Sequence, residues 1–383
     1  MVTKRARTWL ARGTLLTVIA VVGTLGGSTW ALSGTVAAQL LLPPDPLPPV
    51  TVTAVDAGSV TITGDERALL PGTWSLVSGT GRAILGDIIQ VQGAAARRRL
   101  ITRSGVIPIG AVAALERTVY QPDPAAVGLE FAEVFLEGPL GDIPAWTITG
   151  TDDTWVVYVH DFGLDRTEAL RVLGGLADLG LSVIIPALPT DPEVREGGSR
   201  TTDLGPTGWR NITPAIDFAL DAGARDIVLF GSGTGGSSVL LAAEDPRYSA
   251  LVAALVLDAP LLDPAAVADA RLAEDKVPGF LAGWAKALAT FRFGIDWTGL
   301  DLVAGATRQE HPMLIFHGAV DDRFPLSASE AYAAADRHAT LVVVPGAGHG
   351  EAWNVDPGAY DAALTGFLND TVVGPAGGVA PGE

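Results

Sequence analysis

The chain has 383 residues, no cysteine, 48% hydrophobic residues and a formal net charge of −18. The apolar content excludes an intrinsically disordered chain, which needs low hydrophobicity and high charge. The absence of cysteine excludes disulfides, thiolate metal sites and a cysteine nucleophile. The acidic balance argues against a nucleic-acid partner, because binding to phosphates requires a basic surface. Histidine-dependent chemistry must use one of five residues: His160, His311, His317, His338 and His349.

The N-terminus combines basic residues with a long uncharged stretch. Four Lys and Arg residues within the first 12 positions precede 32 residues, 13–44, that carry no formal charge. Within this stretch, residues 14–32 would form a helix about 28 Å long, close to the thickness of the bilayer core. The basic flank predicts that the N-terminus lies in the cytoplasm and the remainder outside. We therefore predict a single-pass anchor within residues 1–42 and a C-terminal part on the outer side of the cell membrane.

A cleaved signal peptide is the alternative reading of the same segment. Its apolar core would be residues 15–25, and cleavage would follow the small residues 36–38, directly before Gln39. Such cleavage would give a secreted protein. Both readings place the folded part outside the cytoplasm.

The composition divides the rest of the chain into further regions. Residues 43–49 form a proline-rich linker of extended type. Region 50–125 contains short alternating strands separated by turns, which predicts a small β-rich module. Over residues 129–371, continuous apolar strands alternate with helical segments, which predicts a mostly parallel, doubly wound α/β sheet. A helical insertion at 263–309 is typical of a lid, and residues 372–383 are predicted to be a flexible tail.

One charge run, Arg97-Arg98-Arg99, lies in the β-rich module. It could contact the anionic headgroups of lipids. A solvated strand end or turn explains the same run more simply, and we expect the latter.

Three glycine-rich stretches follow apolar strands, at the edge where open α/β sheets place their sites. They are LFGSGTGG at 229–236, HGAVDDRFP at 317–325 and PGAGHG at 345–350. Their order resembles the nucleophile elbow, acid and histidine motifs of the α/β-hydrolase family. With its N-terminal segment, the chain resembles membrane-anchored bacterial members of the serine peptidase and esterase type. The resemblance implies that Asp321, with Asp322 as the second choice, orients His349 as the general base.

The nucleophile departs from the family pattern. When Gly231 and Gly235 are aligned with the glycines of G-x-S-x-G, Gly233 takes the position of the serine. Ser232 lies one residue earlier, and a shift of one residue in an extended turn points a side chain to the other side. We therefore predict a vestigial elbow at Gly233, with Ser232 as the weaker candidate for a nucleophile.

The oxyanion hole shows a second departure. The resemblance assigns its two N–H donors to Phe162 and Thr234. Asp161 directly precedes Phe162 and could bring a carboxylate to the place where negative charge must develop, which opposes catalysis. Asp161 could equally face a helix N-terminus as a cap.

These observations favour a membrane-anchored α/β-hydrolase homologue that has lost its serine chemistry and binds a small molecule or peptide in its cleft. Asp321 and His349 are retained, and we expect no cofactor and no metal, because no metal-binding histidine spacing occurs. The alternative is an active hydrolase of ester or amide bonds that uses Ser232 or a water activated by His349. A third possibility is base catalysis by Asp321 and His349 without an acyl intermediate.

Overall fold

A computed structural model of the chain describes residues 24–41, 48–138, 141–191, 194 and 208–374. The predicted anchor, proline-rich linker and C-terminal tail fall largely on residues outside these ranges. Their predictions stay as stated above.

Residues 50–116 form a closed, antiparallel barrel in which the last strand pairs back to the first. Its strands are β1 (Val50–Val55), β2 (Ser59–Thr63), β3 (Trp74–Ser78), β4 (Gly81–Gln92), β5 (Ala95–Gly105) and β6 (Val112–Glu116). The strand order is β1-β2-β5-β4-β3-β6. Alternate apolar side chains fill the interior, among them Ile62, Leu76 and Leu115. Closure leaves the barrel without an exposed strand edge.

Arg98 corrects the expectation that the arginine run of the barrel is solvated. Its two neighbours in the run face outwards, but Arg98 is fully buried, because side chains alternate between the two faces of β5. The Arg98 guanidinium donates to three main-chain carbonyl oxygens, those of Leu70, Gly72 and Gly86. Burial lowers the pKa of Arg98 to about 10, so the side chain remains charged at neutral pH. Arg98 therefore links β5 by hydrogen bonds to β4 and to the segment before β3.

The C-terminal domain is built on an eight-stranded sheet of order β14-β13-β12-β11-β9-β10-β8-β7. Its strands are β7 (Ala132–Gly138), β8 (Gly141–Ile148), β9 (Thr154–Val159), β10 (Ser182–Pro186), β11 (Asp226–Ser232), β12 (Val252–Asp258), β13 (Met313–Gly318) and β14 (Ala339–Val344). The strands from β9 to β14 run parallel, while β7 and β8 form an antiparallel hairpin at one edge. The predicted, mostly parallel sheet is confirmed.

Helices cover both faces of this sheet. They are α2 (Leu170–Asp178), α3 (Thr213–Asp221), α4 (Thr234–Ala243), α7 (Leu326–Ala335), α8 (Ala352–Val355) and α9 (Pro357–Leu368). Helices α3, α4 and α7 bury their apolar sides on one face, and α2, α8 and α9 on the other. The insertion between β12 and β13 contributes α5 (Pro264–Glu274) and α6 (Gly279–Phe293).

Residues 24–41 form helix α1, which packs against the insertion. Val36 and Leu40 are buried with apolar side chains of α5 and α6. Arg292 of α6 donates to the carbonyl oxygen of Trp30 (2.7 Å) and to Oγ of Ser33 (2.6 Å). Within the part of the chain that the structure describes, no helix has both the length and the apolar character needed to cross a bilayer.

The barrel is bonded to the segment that follows β14. The side-chain amide of Asn354 donates to the carbonyl oxygens of Thr73 and Arg117, at 2.9 Å each. The N–H of Thr73 donates to the carbonyl oxygen of Asn354 (2.7 Å), and Arg67 forms an ion pair with Glu351. The barrel therefore supports the loop that carries His349.

Candidate active site

A sharp turn joins the end of β11 to the start of α4. Its central residue, Gly233, has φ 53° and ψ −117°. A residue with a Cβ adopts this backbone conformation only under strain. A Cβ on Gly231 would lie 2.5 Å from the carbonyl oxygen of Gly235, and a Cβ on Gly235 would lie 2.4 Å from that of Val159. The turn is therefore closely packed, and its central position is occupied by glycine.

Asp161 occupies the space above Gly233. A Cβ built on Gly233 would lie 1.9 Å from Oδ1 of Asp161, far inside any permitted contact. Asp161 itself is fully buried. A residue with a side chain at position 233 would therefore require Asp161 to move.

The same carboxylate fills the predicted oxyanion hole. Oδ1 of Asp161 accepts hydrogen bonds from the N–H groups of Phe162 (2.8 Å) and Thr234 (3.0 Å). Because Thr234 is the first residue of α4, Asp161 also faces the N-terminus of that helix. The two roles weighed for Asp161 from the sequence are thus combined in one position.

His349 lies between two carboxylates. Its Nδ1 is 2.9 Å from Oδ2 of Asp321, and its Nε2 is 3.0 Å from Oδ2 of Asp161. The structure thus brings Asp321, His349, Gly233 and the two N–H donors together around Asp161. Asp322, the second choice for the acid, is exposed to solvent.

The charges of the two carboxylates determine the protonation of His349. Burial lowers the pKa of His349, but the charge of Asp321 and the hydrogen bonds to Asp161 and Asp321 outweigh it and raise the pKa to about 9. Burial likewise opposes ionisation of Asp161, yet His349, Arg323 and Arg117 hold its pKa well below the usual range. At neutral pH, His349 is therefore an imidazolium that donates from both nitrogens. A ring in this state has no lone pair with which to accept a proton.

Two arginines that the sequence analysis did not select complete the site. Nη2 of Arg117 donates to Oδ2 of Asp161 (2.9 Å), and its Nη1 donates to the carbonyl oxygen of His349 (2.5 Å). Arg323 is buried, and burial lowers the pKa of its guanidinium. The charge of Asp161 raises the pKa of Arg323 by a smaller amount. Arg117 lies in the connection between the barrel and the C-terminal domain, 44 residues before Asp161, so no local pattern links the two.

Ser232 is directed into a buried network and is not bonded to His349. Its Oγ donates to Oε1 of Glu168 (2.9 Å), whose Oε2 accepts from the N–H of Asp161 (2.8 Å). Arg171 joins Glu168 (3.2 Å) to Asp258 (2.9 Å) in the same network. This geometry gives no support to the alternative in which Ser232 is the nucleophile, because its hydroxyl is committed to a carboxylate in the protein interior.

Two further histidines are buried near the site, and Nε2 of one of them, His317, lies 3.3 Å from Oδ2 of Asp321. His160 contacts Asp191 at 2.9 Å, and His317 contacts Oγ of Ser329 at 2.8 Å. Among the described residues, no group of three or more histidine and acidic side chains is arranged to hold a metal ion.

Solved structures share the architecture of the C-terminal domain. The esterase Pf2001 of Pyrococcus furiosus, in two of its crystal forms, matches 66% of this chain with TM-scores of 0.51 and 0.52 at 15% identity. The match covers 95% and 96% of the esterase chain. The C-terminal domain has the α/β-hydrolase fold. The hydrolase domain also matches a thermophilic esterase from Thermogutta terrifontis, at 22% identity and a TM-score of 0.45, over 62% of this chain and 98% of that one.

The barrel matches a family model of its own. The model, described as Domain of unknown function (DUF8805), covers residues 51–116 and so ends directly before Arg117, the first residue of the connection between the domains. A comparison with curated protein sequences gives no match.

Proposed function

We propose that the hydrolase domain carries out no acyl transfer and that its former catalytic cleft is a binding site. The observation that carries this proposal is the position of Asp161, whose Oδ1 accepts from Phe162 and Thr234 at 2.8 and 3.0 Å. Acyl transfer needs a nucleophile, a base and a free oxyanion hole. Gly233 removes the first, protonation of His349 removes the second, and Asp161 occupies the third.

The size of these effects supports loss of activity. Removal of a triad member costs roughly 10⁴–10⁶ in the rate of a serine hydrolase. Loss of a single oxyanion-hole donor costs about 10²–10³. Here both N–H groups are bonded to a side chain, so the remaining activity should be very small.

Arg323 indicates the chemical class of the ligand. Its Nε and Nη2 are buried and have no hydrogen-bond partner among the described residues. Two buried guanidinium nitrogens without hydrogen-bond partners are costly, and a bidentate carboxylate satisfies them best. We therefore expect a small molecule or peptide that bears a carboxylate.

A fluorophosphonate probe tests the absence of acyl transfer. We expect no labelling of the wild type or of Ser232→Ala, and labelling of the double variant Asp161→Gly/Gly233→Ser, which serves as the positive control. Labelling of the wild type that is lost in Ser232→Ala would overturn the proposal in favour of the active hydrolase.

Thermal unfolding in a series of carboxylates, from acetate to octanoate, tests the proposed ligand class. A carboxylate that binds only the folded state raises Tm. We expect this rise in the wild type and its loss in Arg323→Gln. Equal shifts in both proteins would show that the carboxylate binds elsewhere.

We also propose that the chain is attached to the cell membrane by residues 14–32, with the hydrolase domain outside the cytoplasm. The uncharged stretch and its basic flank support this attachment. Cleavage before Gln39 would remove Val36 and Ala37, which are buried at 0% and 3% exposure against the insertion. The mass of the mature protein and its resistance to carbonate extraction provide the test. A soluble protein that begins at Gln39 would overturn the attachment.

A further inference from the structure

The outer side of α6 carries no charged residue. Its exposed positions are Phe280, Gly283, Trp284, Ala287, Thr290 and Phe291. The three aromatic side chains are 60%, 58% and 86% exposed, whereas Ala285 and Ala289 on the opposite side are buried. A helix on the surface of a soluble protein normally presents charged residues to solvent. The outer side of α6 is therefore unusual for a surface in contact with water.

Three of the exposed rings lie on the same side of α6. Phe280, Trp284 and Phe291 are separated by four and seven residues, which aligns them along one side of a helix. The rings of Phe280 and Trp284 are in edge contact, with centroids 6.4 Å apart. We define the aromatic surface as Phe280, Trp284 and Phe291. Scattered apolar residues are ordinary, but a contiguous exposed cluster marks an interaction site.

Arg292 joins α1 to the C-terminal end of α6, the helix that carries the aromatic surface. Its guanidinium carbon lies 3.7 Å from the ring centroid of Trp30 and 4.6 Å from that of Phe293. Trp30 is itself 56% exposed. The N-terminal half of α1 therefore lies beside the C-terminal end of α6.

The sequence that precedes α1 indicates which partner the aromatic surface contacts. The described part begins at residue 24, six residues before Trp30, and the preceding sequence is uncharged back to Gly13 and then basic. We infer that the aromatic surface lies in the interfacial layer of the lipid bilayer. This inference rests on the proposed membrane attachment and adds the face by which the folded domain contacts the lipid. Tryptophan and phenylalanine favour that layer, and an arginine at its rim can extend towards the headgroups.

Spin labelling tests the inference, because the chain has no cysteine of its own. The full chain is reconstituted in vesicles of phosphatidylcholine and phosphatidylglycerol, with a nitroxide on Ala287→Cys. Ala287 lies on the exposed side of α6 and its replacement keeps every ring. The control label is Ala334→Cys, an exposed alanine of α7. We expect the label at 287 to collide more often with oxygen than with a water-soluble nickel complex, and the label at 334 to show the reverse.

A second variant isolates the contribution of the rings. In Phe280→Ser/Trp284→Ser/Phe291→Ser, the label on Ala287→Cys should shift from lipid to water. A water-exposed label at 287 in vesicle-bound wild type would overturn the inference and leave the attachment intact. A chain that does not float with the vesicles would overturn both. A label at 287 shielded from both collision partners would indicate contact with protein and would also overturn it.

Discussion

Oδ2 of Asp161 lies 3.0 Å from Nε2 of His349, the nitrogen that in a serine hydrolase would take the proton of the nucleophile. The other oxygen of the same carboxylate is bonded to both N–H groups of the oxyanion hole. One side chain thus occupies, in the proposed binding site, the positions that the nucleophile and the oxygen of the substrate would take in a serine hydrolase. Since a Cβ at position 233 would lie 1.9 Å from Oδ1, the present position of Asp161 requires glycine at position 233.

Restoring activity should require both positions. Gly233→Ser alone should stay inactive, because its side chain collides with Asp161, whereas Asp161→Gly/Gly233→Ser should hydrolyse p-nitrophenyl butyrate at least about 10²-fold faster than the wild type. Initial rates of nitrophenolate release provide the measurement, and Asp161→Gly alone is the control. Equal activity in the single and double serine variants would contradict the proposed exclusion.

The pKa of His349 should depend on Asp161. In Asp161→Asn the ring loses one of its two carboxylate partners, so the pKa should fall from about 9 towards its ordinary value. Asp322→Asn is the matched control, since Asp322 is exposed and is not a partner of the ring. NMR titration of ¹³C-labelled histidine rings measures both variants. The same pKa in both would show that Asp161 does not stabilise the imidazolium.

Stability should decrease as the pH rises above neutrality. The pKa of His349 is about 9 in the folded protein, above the ordinary value of 6.5. The contribution of the His349 charge to the free energy of unfolding is therefore complete below pH 6.5 and is lost as the pH rises through 9. The loss is on the order of 3 kcal/mol. His160, whose pKa the charge of Asp191 raises to about 9 against the effect of burial, acts in the same direction. Urea unfolding at pH 6.5 and 9 should show a smaller decrease in His349→Gln than in the wild type.

The contact between α1 and the insertion should contribute to the free energy of unfolding. Leu40 is 1% exposed, and Leu40→Ala should cost about 2–4 kcal/mol, because it leaves a cavity beside α5 and α6. Gln39→Ala, its neighbour on a less buried side, should change stability by less than about 0.5 kcal/mol. Chemical unfolding of both variants is the measurement. Equal and small effects would mean that α1 does not pack on the insertion.

The sequence predicted the sheet, the helices and the loops that carry Gly233, Asp321 and His349, because these depend on apolar periodicity and on glycine turns. It left the role of Asp161 open, since that role depends on a rotamer and on the space left by a glycine 72 positions later. Arg117 was missed because it comes from a connection between domains that has no motif. Arg98 was misjudged because a charge run does not reveal which strand positions point inwards.

The uncharged stretch at the N-terminus shows a different limit. Apolar residues that pack on a protein and apolar residues that contact lipid have the same composition. The buried hydroxyl of Ser33, which accepts from Arg292, shows that this part of α1 contacts protein. Only the position of α5 and α6 reveals this contact.

Arg117, in the connection after the barrel, limits where the chain can be shortened without loss of a site residue. Arg117 belongs by sequence to the end of the barrel region, yet its guanidinium is bonded to Asp161 and to the His349 loop. A chain that began at Leu129 would keep every strand of the sheet and lose the guanidinium that donates to Asp161. The C-terminal domain, produced by itself, is therefore expected to keep its site intact only if it starts before Arg117.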